Sequence, residues 1–534
     1  MSQDRRIVVF SGDLNYAVRK GIVEIDKCSP PRALSWLVLL HAPRKTLRQL
    51  LRNQWRNLRR NGWRWIPYQL SDLIGRVWVQ WTAVAPARYD GPGAEFSLEA
   101  LLARPNFRLL RVADLHGADA LRAVREFLPD LGLSLAAPIL RRELFSIPKL
   151  GTINLHKGKL PEFRGMPPAF WELWDGQASV GCSVHFVDDN LDTGDVIAEG
   201  RVERAQHSTL RGLQLRLDDV GNDLLRGAVD AILTGSAEAR PQSAGRGATH
   251  RKPTLAQKAE LRRRLVSAQP LIAQPKQLVK QLYAAAAYST FRLGADRLLT
   301  PRITVLLYHR VSDDVRDNLT VGVEQFDRQM ALLRRHCELM SIEQVIACQA
   351  VPRSTRPLVA VTFDDGYLDN YLHAVPSLRR HGVPAAFHVS TGIVATGGRF
   401  PHDLRRGNPP IPLMTWDQMR AMRRWGFTIG SHTVNHIDCA TEPEATVLDE
   451  LTRSRDDLRR ELGVEQAIFA YPYGGRQHMT AERLEWVKQA GYIACLSAYG
   501  GANVGRVDRY NIVRRGIHYE FSDQAFLLQC LGLP

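Results

Sequence analysis

The chain has 534 residues, of which 45% are hydrophobic and 24% are charged. These values exclude a single small domain, since a domain averages about 150 residues, and they exclude a mainly disordered chain. Lysine and arginine outnumber aspartate and glutamate by 71 to 55, a net charge of +16. This excess predicts anionic partners such as phosphorylated metabolites, anionic lipid or nucleic acid, without choosing among them.

The cysteines and the amino terminus indicate the compartment. The seven cysteines are scattered without a CxxC pair, which argues against a disulfide framework and a structural zinc knuckle. The apolar run Ile7–Phe10 is too short for a secretory signal. The longest apolar stretch, Leu34–Leu40, is far below the ~20 residues of a membrane span. We therefore expect a cytoplasmic protein in a reducing environment.

Three apolar segments in the first part of the chain predict strands of an α/β domain. They are Ile7–Phe10, Leu131–Ala137 and Gly151–Leu155, and helix-length segments separate them. This pattern indicates a mostly parallel sheet with crossover helices. Such sheets carry their chemistry on loops at the carboxyl ends of the strands.

The segment Lys45–Trp65 combines an apolar helical face with many arginines. The apolar face comprises Leu47, Leu50, Leu51, Trp55 and Leu58. The arginines are Arg48, Arg52, Arg56, Arg59 and Arg60. Two interpretations are open: an interfacial helix that binds anionic lipid, and a surface helix packed on the sheet with its arginines in water.

A strand that ends in Asn-x-His presents two polar side chains on one face, because residues i and i+2 of a strand point the same way. Asn154 and His156 have this spacing, and Asp192 lies in a later LDTGD turn. If the turn folds back, Asp192 can orient the His156 imidazole as a proton leaves an amine, while Asn154 donates to the oxyanion. For Asn-x-His alone, a capped strand end with a hydrogen-bonded histidine is the alternative.

The whole region resembles the folate-dependent formyltransferases, which share an Asn-x-His strand, an LPxxRG loop and an LDTGD turn. Beside the three residues above, the matches are Leu160, Pro161, Arg164, Gly165, Leu191, Thr193, Gly194 and Asp195. The resemblance covers residues 5–235 and implies a Rossmann-like fold that transfers the formyl group of 10-formyltetrahydrofolate to an amine. It implies that Asn154, His156 and Asp192 are the catalytic set. It also implies a folate pocket at Ala137, Pro138, Ile139 and Leu140.

Two departures from that family bear on the acceptor of the formyl group. Lys157, Gly158 and Lys159 stand where methionyl-tRNA formyltransferases usually show Pro-Ser-Leu, and no tRNA-binding barrel follows. Both favour the branch that resembles sugar N-formyltransferases. We therefore expect an amino sugar as the acceptor and no nucleic acid partner.

A change of composition predicts a domain boundary. Ser236–Lys252 is rich in Gly, Pro, Ser and Arg, which is typical of a linker. Residues 254–297 then look helical, and Ile303–Tyr308 begins a new apolar strand. The predicted organisation is a first domain at 1–235, a linker and helical segment at 236–300, and a second domain at 301–534.

The second half contains a possible metal site. The strand within Leu358–Tyr367 ends in Asp364 and Asp365, a pair in which one carboxylate can bind a metal ion while the other acts as a base. His432 and His436 follow another strand at i and i+4, and they face one side if the backbone there is helical. Two histidines and one carboxylate suit a catalytic divalent ion such as zinc.

This half resembles the polysaccharide deacetylases of the NodB homology type, which are built on a distorted parallel β/α barrel. The matching motifs are LLYHRV (Leu306–Val311), TFDDG (Thr362–Gly366), SHTVNH (Ser431–His436) and FAYPYGGR (Phe469–Arg476). The resemblance covers residues 302–520 and implies hydrolysis of an acetamide to acetate and an amine. The implied roles are general base for Asp364, metal ligand for Asp365, His432 and His436, oxyanion contact for Tyr473 and general acid for His518.

The two halves together predict one pathway. A deacetylase releases an amine and a formyltransferase consumes one, so an N-acetylamino sugar carried by a nucleotide or a lipid would become an N-formylamino sugar in surface-polysaccharide metabolism. The cofactors expected are 10-formyltetrahydrofolate and a divalent metal ion, with zinc first. The alternatives are methionyl-tRNA formylation and a catalytically degenerate protein that binds a membrane surface through residues 45–65.

Overall fold

A computed structural model describes residues 4–27, 33–43, 47–64, 66, 69, 91–243, 247–266 and 300–532. Two compact units divide the chain, the first drawn from residues 1–80 and 95–268 and the second from 81–94 and 269–534. Both units are α/β, which confirms the predicted fold class.

The first unit is built on a seven-stranded sheet in the order β3-β2-β1-β4-β5-β7-β8. The strands of this unit are β1 (Arg5–Ser11), β2 (Leu34–His41), β3 (Phe107–Val112), β4 (Leu131–Leu135), β5 (Thr152–His156), β6 (Phe163–Gly165), β7 (Ser179–Phe186), β8 (Val196–Glu203) and β9 (Ala248–His250). The first five are parallel, and β7 and β8 are antiparallel. The strand order reverses between β1 and β4, and such a reversal opens a crevice at the carboxyl edge of a sheet.

The described α-helices of this unit include those that cover both faces of the sheet. They are α1 (Tyr16–Lys27), α2 (Leu47–Asn61), α3 (Leu98–Leu102), α4 (Ala118–Phe127), α5 (Arg142–Phe145), α6 (Phe170–Trp174), α7 (Leu210–Thr234) and α8 (Leu255–Val266). In β1, Ile7 and Val9 enter the core formed with α1 and α7, whereas Val8 and Phe10 enter the core formed with α4. Burial on both faces explains the uninterrupted apolar sequence of this strand.

The segment with linker composition contributes to the first unit. Strand β9 pairs in parallel with β6, and Leu261 of α8 is buried in a core with Leu213 and Leu217 of α7. Residues 267–299, the rest of the predicted helical segment, lie outside the described residues. Among the described helices, none combines the length and the apolar character needed to cross a membrane.

The second unit is built around a ring of parallel strands, to which an antiparallel strand β19 and a separate β11-β12 pair are added. Its strands are β10 (Arg302–Tyr308), β11 (Arg310–Val311), β12 (Thr320–Val321), β13 (Glu338–Leu339), β14 (Leu358–Phe363), β15 (Ala385–Val389), β16 (Thr428–Ser431), β17 (Ile468–Ala470), β18 (Ala494–Leu496), β19 (Asn503–Val504) and β20 (Arg514–Gly516). The path β18-β17-β16-β15-β14-β10 is parallel, and β20 pairs in parallel with β10. A parallel bridge between Leu496 and Ile512 then joins β18 to the segment that leads into β20. The sheet thus closes as an irregular barrel.

Helices surround this ring. They are α9 (Val323–His336), α10 (Ile342–Ala347), α11 (Val375–His381), α12 (Thr391–Thr396), α13 (Pro401–Arg406), α14 (Trp416–Arg424), α15 (Glu444–Leu462), α16 (Ala481–Gln489) and α17 (Asp523–Cys530). Along β14, Val359 and Val361 join the large core that includes helix residues, whereas Leu358 and Ala360 join a second core with residues of β10, β17 and β18. Because the ring strands are parallel, their carboxyl ends meet at one edge.

Candidate active sites

The first candidate site lies at the carboxyl end of β5. Asn154 and His156 are on this strand, and Asp192 lies in the turn between β7 and β8. The Asp192 carboxylate is 3.4 Å from His156 Nδ1 through Oδ2, and 3.5 Å from Asn154 Nδ2 through Oδ1. The structure therefore brings the three predicted catalytic residues together.

The turn that carries Asp192 fixes the carboxylate in place. Asp192 has φ 55°, and its Oδ2 accepts a hydrogen bond from the Gly165 backbone N–H at 3.0 Å. Gly194 is required in this turn, because a Cβ there would lie 2.0 Å from a backbone carbonyl oxygen. Burial opposes ionisation of Asp192, but His156 and the Gly165 N–H stabilise the anion and lower its pKa. Asp192 is therefore a carboxylate anion beside His156.

Sequence reasoning missed His185, which lies opposite Asn154 in the antiparallel β5–β7 pair. Because an amide nitrogen can only donate, Asn154 Nδ2 donates to His185 Nε2 at 3.1 Å, and His185 Nδ1–H donates to the Phe186 carbonyl at 2.7 Å. His185 Nε2 is also 3.6 Å from Asp192 Oδ1. His185 thus orients the Asn154 amide. The contact depends on strand register, which no motif in the sequence reveals.

The loop after β5 sets the position of His156. His156 Nε2 donates to the Phe163 carbonyl at 2.8 Å, and burial lowers the pKa of the imidazole. Gly158 permits this contact, since a Cβ there would lie 2.6 Å from His156 Nε2 and 2.5 Å from the Phe163 oxygen. Gly158, one of the residues that replace the Pro-Ser-Leu pattern, is therefore needed for the position of His156 in this site.

The two lysines of that departure are anchored within the first unit. Lys157 Nζ pairs with the Asp218 carboxylate, and Lys159 Nζ donates to the backbone oxygen and Oγ of Ser179 at 2.7 and 2.9 Å. The buried Glu172 carboxyl accepts the Lys159 backbone N–H at 3.3 Å and a second backbone N–H at 2.8 Å. Burial raises the pKa of Glu172 to about 7. These lysines hold the loop in place.

The segment predicted to line the folate pocket follows β4, beside the reversal of strand order. Its residues are Ala137, Pro138, Ile139 and Leu140. The Ala136 carbonyl accepts a hydrogen bond from the Gly12 N–H, after β1, at 3.1 Å. Ile139 is 73% exposed, whereas Leu140 is buried. The segment is thus placed at the crevice, and its contact with folate stays a prediction.

Gln242, in the segment of linker composition, ties two motifs of the first site together. Its Nε2 donates to the backbone oxygens of Asp192 and Gly194 at 3.1 and 2.8 Å. Its Oε1 accepts a hydrogen bond from Arg164 at 3.1 Å. The LDTGD turn and the LPxxRG loop are therefore held by one side chain that composition alone did not single out.

The second candidate site lies at the carboxyl edge of the barrel. The predicted residues follow four strands: Asp364 and Asp365 follow β14, His432 and His436 follow β16, Tyr473 follows β17, and His518 follows β20.

Asp365, His432 and His436 form a candidate metal centre, with ligand atoms all within 4.8 Å of one another. Nε2 of His432 and Nε2 of His436 are 3.6 and 3.4 Å from Asp365 Oδ1. Ligand atoms around a tetrahedral zinc ion are separated by about 3.3 Å, so these distances fit a divalent ion. His432 Nδ1 donates to the Ala470 carbonyl at 2.7 Å, which leaves its Nε2 lone pair free for a metal.

The electrostatics of these side chains also fit a cation. Both Asp365 carboxylate oxygens are buried without a hydrogen-bond partner among the described residues, an arrangement that is costly unless a positive charge meets them. Burial opposes ionisation of Asp365, but His436 and further histidines lower the pKa of its carboxyl. Burial lowers the pKa of His432 to about 3, so the imidazole stays neutral, which is the form that binds metals.

The loop between the two histidines is not helical, which corrects one assumption of the sequence analysis. Thr433 and His436 have φ 64° and 54°, conformations that an α-helix does not contain. The Glu450 carboxylate of α15 instead holds the loop, accepting the backbone N–H groups of Val434 and Asn435 at 2.9 and 2.8 Å. The histidines converge because the loop folds back on itself.

Asp364 is buried with two neighbours that sequence reasoning missed. Arg514 of β20 donates from Nη1 and Nη2 to the two carboxylate oxygens, each at 2.7 Å, and His388 Nδ1 is 3.4 Å from Oδ1. Burial opposes ionisation, but Arg514 and then His432 hold the pKa of Asp364 well below its usual value. Arg514 is 150 residues away in sequence, so only the closure of the barrel reveals the pair.

Tyr473 and His518 are less firmly linked to this centre. The Tyr473 ring is 5.0 Å from the His436 ring, and its side chain is 41% exposed with φ 62°. The His518 ring packs on Phe521 at 4.6 Å. Within the described part of the chain, no hydrogen bond joins His518 to Asp365, His432 or His436. The roles of Tyr473 and His518 stay predictions.

Two family models match different stretches of the chain. The family model described as Formyl transferase matches residues 101–232, and the one described as Polysaccharide deacetylase matches residues 352–494.

Curated relatives match part of the chain. The methionyl-tRNA formyltransferase of Bacteroides fragilis is 33% identical over 134 residues, 25% of this chain and 41% of that protein. The one from Clostridium tetani is 29% identical over 178 residues, 32% of this chain and 57% of that protein. The chain thus spans less than two thirds of the length of these relatives.

Two solved structures are similar to parts of the chain. The Streptococcus pyogenes deacetylase PplD in complex with acetate covers 44% of this chain and 100% of its own, with 23% identity and a TM-score of 0.38. The formyltransferase PseJ from Anoxybacillus kamchatkensis, in complex with UDP-4,6-dideoxy-4-formamido-L-AltNAc and tetrahydrofolate, covers 32% of this chain and 86% of its own, with 25% identity and a TM-score of 0.26.

Proposed function

We propose that this chain, which contains a formyltransferase domain and a polysaccharide deacetylase domain, is a bifunctional enzyme of amino-sugar metabolism. Its second unit would remove the acetyl group of an N-acetylamino sugar, and its first unit would formylate the amine. The observation that carries the proposal is that both predicted polar sets converge, Asn154 with His156 and Asp192, and Asp365 with His432 and His436.

In the formyl transfer, the sugar amine attacks the formyl carbon of 10-formyltetrahydrofolate. Asn154 Nδ2 donates one of its two N–H hydrogens to the developing oxyanion, while the other bonds to His185 Nε2 and fixes the orientation of the amide. His156 takes the proton from the attacking nitrogen on Nδ1, because its Nε2 hydrogen is donated to the Phe163 carbonyl, and the Asp192 anion 3.4 Å from Nδ1 stabilises the imidazolium. The bond from the formyl carbon to the folate nitrogen then breaks, and that nitrogen receives the proton.

In the deacetylation, Asp365, His432 and His436 hold the metal ion and Asp364 acts as the base. A bound divalent ion, zinc first, supplies Lewis-acid activation of water and of the acetamide carbonyl. Asp364 takes a proton from the attacking water, and Arg514 keeps this carboxylate ionised and oriented. Tyr473 contacts the oxyanion. The carbon–nitrogen bond then breaks, His518 gives a proton to the amine, and acetate leaves.

The acceptor sugar is carried by a nucleotide or a lipid in this proposal. Both carriers are anionic, in agreement with the net charge of +16. We place both reactions in the cytoplasm, where reduced folate donors are made.

One incubation tests the function. The protein is mixed with 10-formyltetrahydrofolate and a panel of UDP- and dTDP-linked amino sugars and their N-acetyl forms, and the release of acetate and the N-formyl product are measured. Formylation that persists in Asp192→Asn would contradict the assignment of the first site.

Helix α2 supports a peripheral contact of residues 45–65 with an anionic membrane, which would favour a lipid carrier. Leu51 and Trp55 of α2 are 62% and 57% exposed, and Trp63, in the turn just after the helix, is 74% exposed, so they do not pack on the sheet. Arg59 lies over the Trp55 ring at 5.2 Å. The helix contains five arginines and no acidic residue. Exposed apolar and basic side chains on one helix are typical of binding at the lipid interface.

Vesicle sedimentation tests this contact. The full chain should bind vesicles that contain phosphatidylglycerol and not those of phosphatidylcholine alone. The double variant Leu51→Ser/Trp55→Ser should lose about tenfold or more in partitioning, because it removes apolar surface and no charge. The matched control, Arg453→Gln/Arg459→Gln on exposed α15, should bind as the unaltered chain does. Undiminished binding by the double variant would contradict an apolar contribution.

A second candidate function is methionyl-tRNA formylation, which the names of the curated relatives favour. A tRNA-binding measurement at several salt concentrations separates it from sugar formylation, since phosphate contacts give a steep salt dependence. Specific binding with formylation of charged initiator tRNA would support this candidate. Formylation of an amino sugar without formylation of charged initiator tRNA would support the proposal above. A catalytically degenerate binding protein, the remaining alternative, predicts no metal in the replete protein.

A further inference from the structure

Strand β6 carries the backbone atoms that hold two of the proposed catalytic side chains. Its Phe163 carbonyl accepts the hydrogen bond from His156 Nε2 at 2.8 Å, and its Gly165 N–H donates to Asp192 Oδ2 at 3.0 Å. The 3.4 Å contact between His156 Nδ1 and Asp192 Oδ2 therefore depends on where β6 lies relative to the LDTGD turn. Because β6 has only three residues, neighbouring segments must fix its position.

The segment of linker composition supplies those neighbours. Its strand β9 pairs with all three residues of β6, and the His250 ring stacks on the Phe163 ring at 5.6 Å. Earlier in the same segment, Arg240 exchanges two backbone hydrogen bonds of 2.8 Å with Val196, the first residue of β8. Gln242 lies in sequence between these two anchors, so its side chain starts from a backbone that is held on both sides.

The side-chain amide of Gln242 matches its three partners chemically. Nε2 is 3.1 and 2.8 Å from the backbone oxygens of Asp192 and Gly194, and Oε1 is 3.1 Å from Arg164 Nη2. Carbonyl oxygens only accept and a guanidinium only donates, so the amide nitrogen must face the turn and the amide oxygen must face β6. Both amide hydrogens are thus used on the turn that carries Asp192. A glutamate of the same shape has no hydrogen for either bond.

We propose that Gln242 is a positioning residue for formyl transfer, which sets Asp192 against His156 by clamping the LDTGD turn to β6. Gln242 fixes the main chain of the turn, the Gly165 N–H fixes the carboxylate, and both are tied to the same strand. Gln242 acts through Asp192 and not on the substrates. Residue 242 lies beyond the matched range 101–232, so the working first site extends into the segment of linker composition. This inference rests on the proposed formylation.

Steady-state kinetics of the full chain test the inference. Gln242→Met keeps a similar length and removes all three hydrogen bonds, so kcat for formylation should fall by about 10- to 100-fold while KM for both substrates stays the same. The acid limb of the rate profile reports loss of a proton from His156. It should move to lower pH, because a displaced Asp192 no longer stabilises the imidazolium. Gln242→Glu keeps the acceptor for Arg164 but lacks both hydrogens, so it should not restore kcat.

The matched control is Gln206→Glu, an exposed position in the turn after β8, which should change neither kcat nor the pH profile. Acetate release and thermal unfolding of each variant check that both units are folded.

The outcomes separate this inference from the function on which it rests. An unaltered kcat and pH profile in Gln242→Met would overturn the inference alone, as would a rise in KM without a change in kcat, which would make Gln242 part of a binding site. Full formylation by Gln242→Glu would also overturn it, because the two bonds to the turn would then be dispensable. Failure of the unaltered chain to formylate any acceptor of the panel would overturn the proposed formylation and the inference together.

Discussion

Asp364 is a fully buried charge, and the residues that make this possible come from distant parts of the chain. Arg514 forms two parallel hydrogen bonds to it at 2.7 Å, a geometry that lysine does not reproduce. Removing one partner of a buried ion pair leaves the other uncompensated. The pair is therefore expected to matter for stability as well as for the proposed base.

Arg514→Gln should destabilise the protein by about 3–5 kcal/mol, because the Asp364 charge stays buried without its partner. Denaturant unfolding of the second unit measures this change. Arg453→Gln, at an exposed position of α15, is the control and should stay within about 0.5 kcal/mol. An Arg514 variant as stable as the control would show that the pair adds nothing to the fold.

Glu172 predicts a pH-dependent stability of the first unit. Burial raises its pKa from 4.5 to about 7, so the folded state holds this proton more tightly than the unfolded state. Stability from this group is present below pH 4.5 and falls as the pH rises toward 7. Glu172→Gln cannot ionise and should not show that loss. Its free energy of unfolding should therefore exceed that of the unaltered chain by on the order of 1–3 kcal/mol between pH 5 and 8. Unfolding curves at several pH values measure it, with half-exposed Glu143→Gln as the control.

At the residue scale, motifs predicted the groups proposed to act on the substrate better than the groups that hold them. Asn154, His156 and Asp192 lie in recognisable local patterns, and the structure brings them together. His185 and Arg514 lie in ordinary strand sequences, and they meet their partners only through strand pairing. Pairing register is a tertiary property, so a single sequence does not show it.

At the element scale, apolar strands were predictable and connecting segments were not. Ile303–Tyr308 was predicted and β10 spans Arg302–Tyr308, because a strand buried on both faces has a continuous apolar sequence. The Gly- and Pro-rich segment before residue 252 has linker composition, yet it contains β9. Backbone pairing with β6 needs no apolar side chains, so composition did not reveal it.

Gly158, in the loop after β5, is the subject of a further prediction. Gly158→Ala would place a methyl group 2.6 Å from His156 Nε2, so the loop and the imidazole must shift apart. Formylation should fall by about 100-fold or more, since misplacing a reacting group by about 1 Å has that effect, while deacetylation should not change. Gly227→Ala in α7, where a Cβ meets nothing within 4 Å, is the control. Normal formylation in Gly158→Ala would show that the loop position is not needed.

At the scale of the whole molecule, the two sites use different chemistry and should respond separately to metal removal. Dialysis against a chelator should abolish acetate release, because Asp365, His432 and His436 have no other proposed role. Formylation of a free amino sugar should continue, and added zinc should restore deacetylation. Product analysis of both reactions in the same sample measures this. Loss of both activities on chelation would contradict two chemically independent sites.

Closure of the barrel has a consequence for synthesis on the ribosome. All the described strands of the first unit precede residue 251, so its sheet can assemble early. The second unit must wait for residues 512–516, which join β18 to β10 and also deliver Arg514 to Asp364. Until they emerge, the nascent ring keeps two unpaired edges and an uncompensated carboxylate, both of which favour aggregation. The same few residues therefore complete the ion pair of the proposed base and remove the exposed strand edges, so both events occur at one point of synthesis.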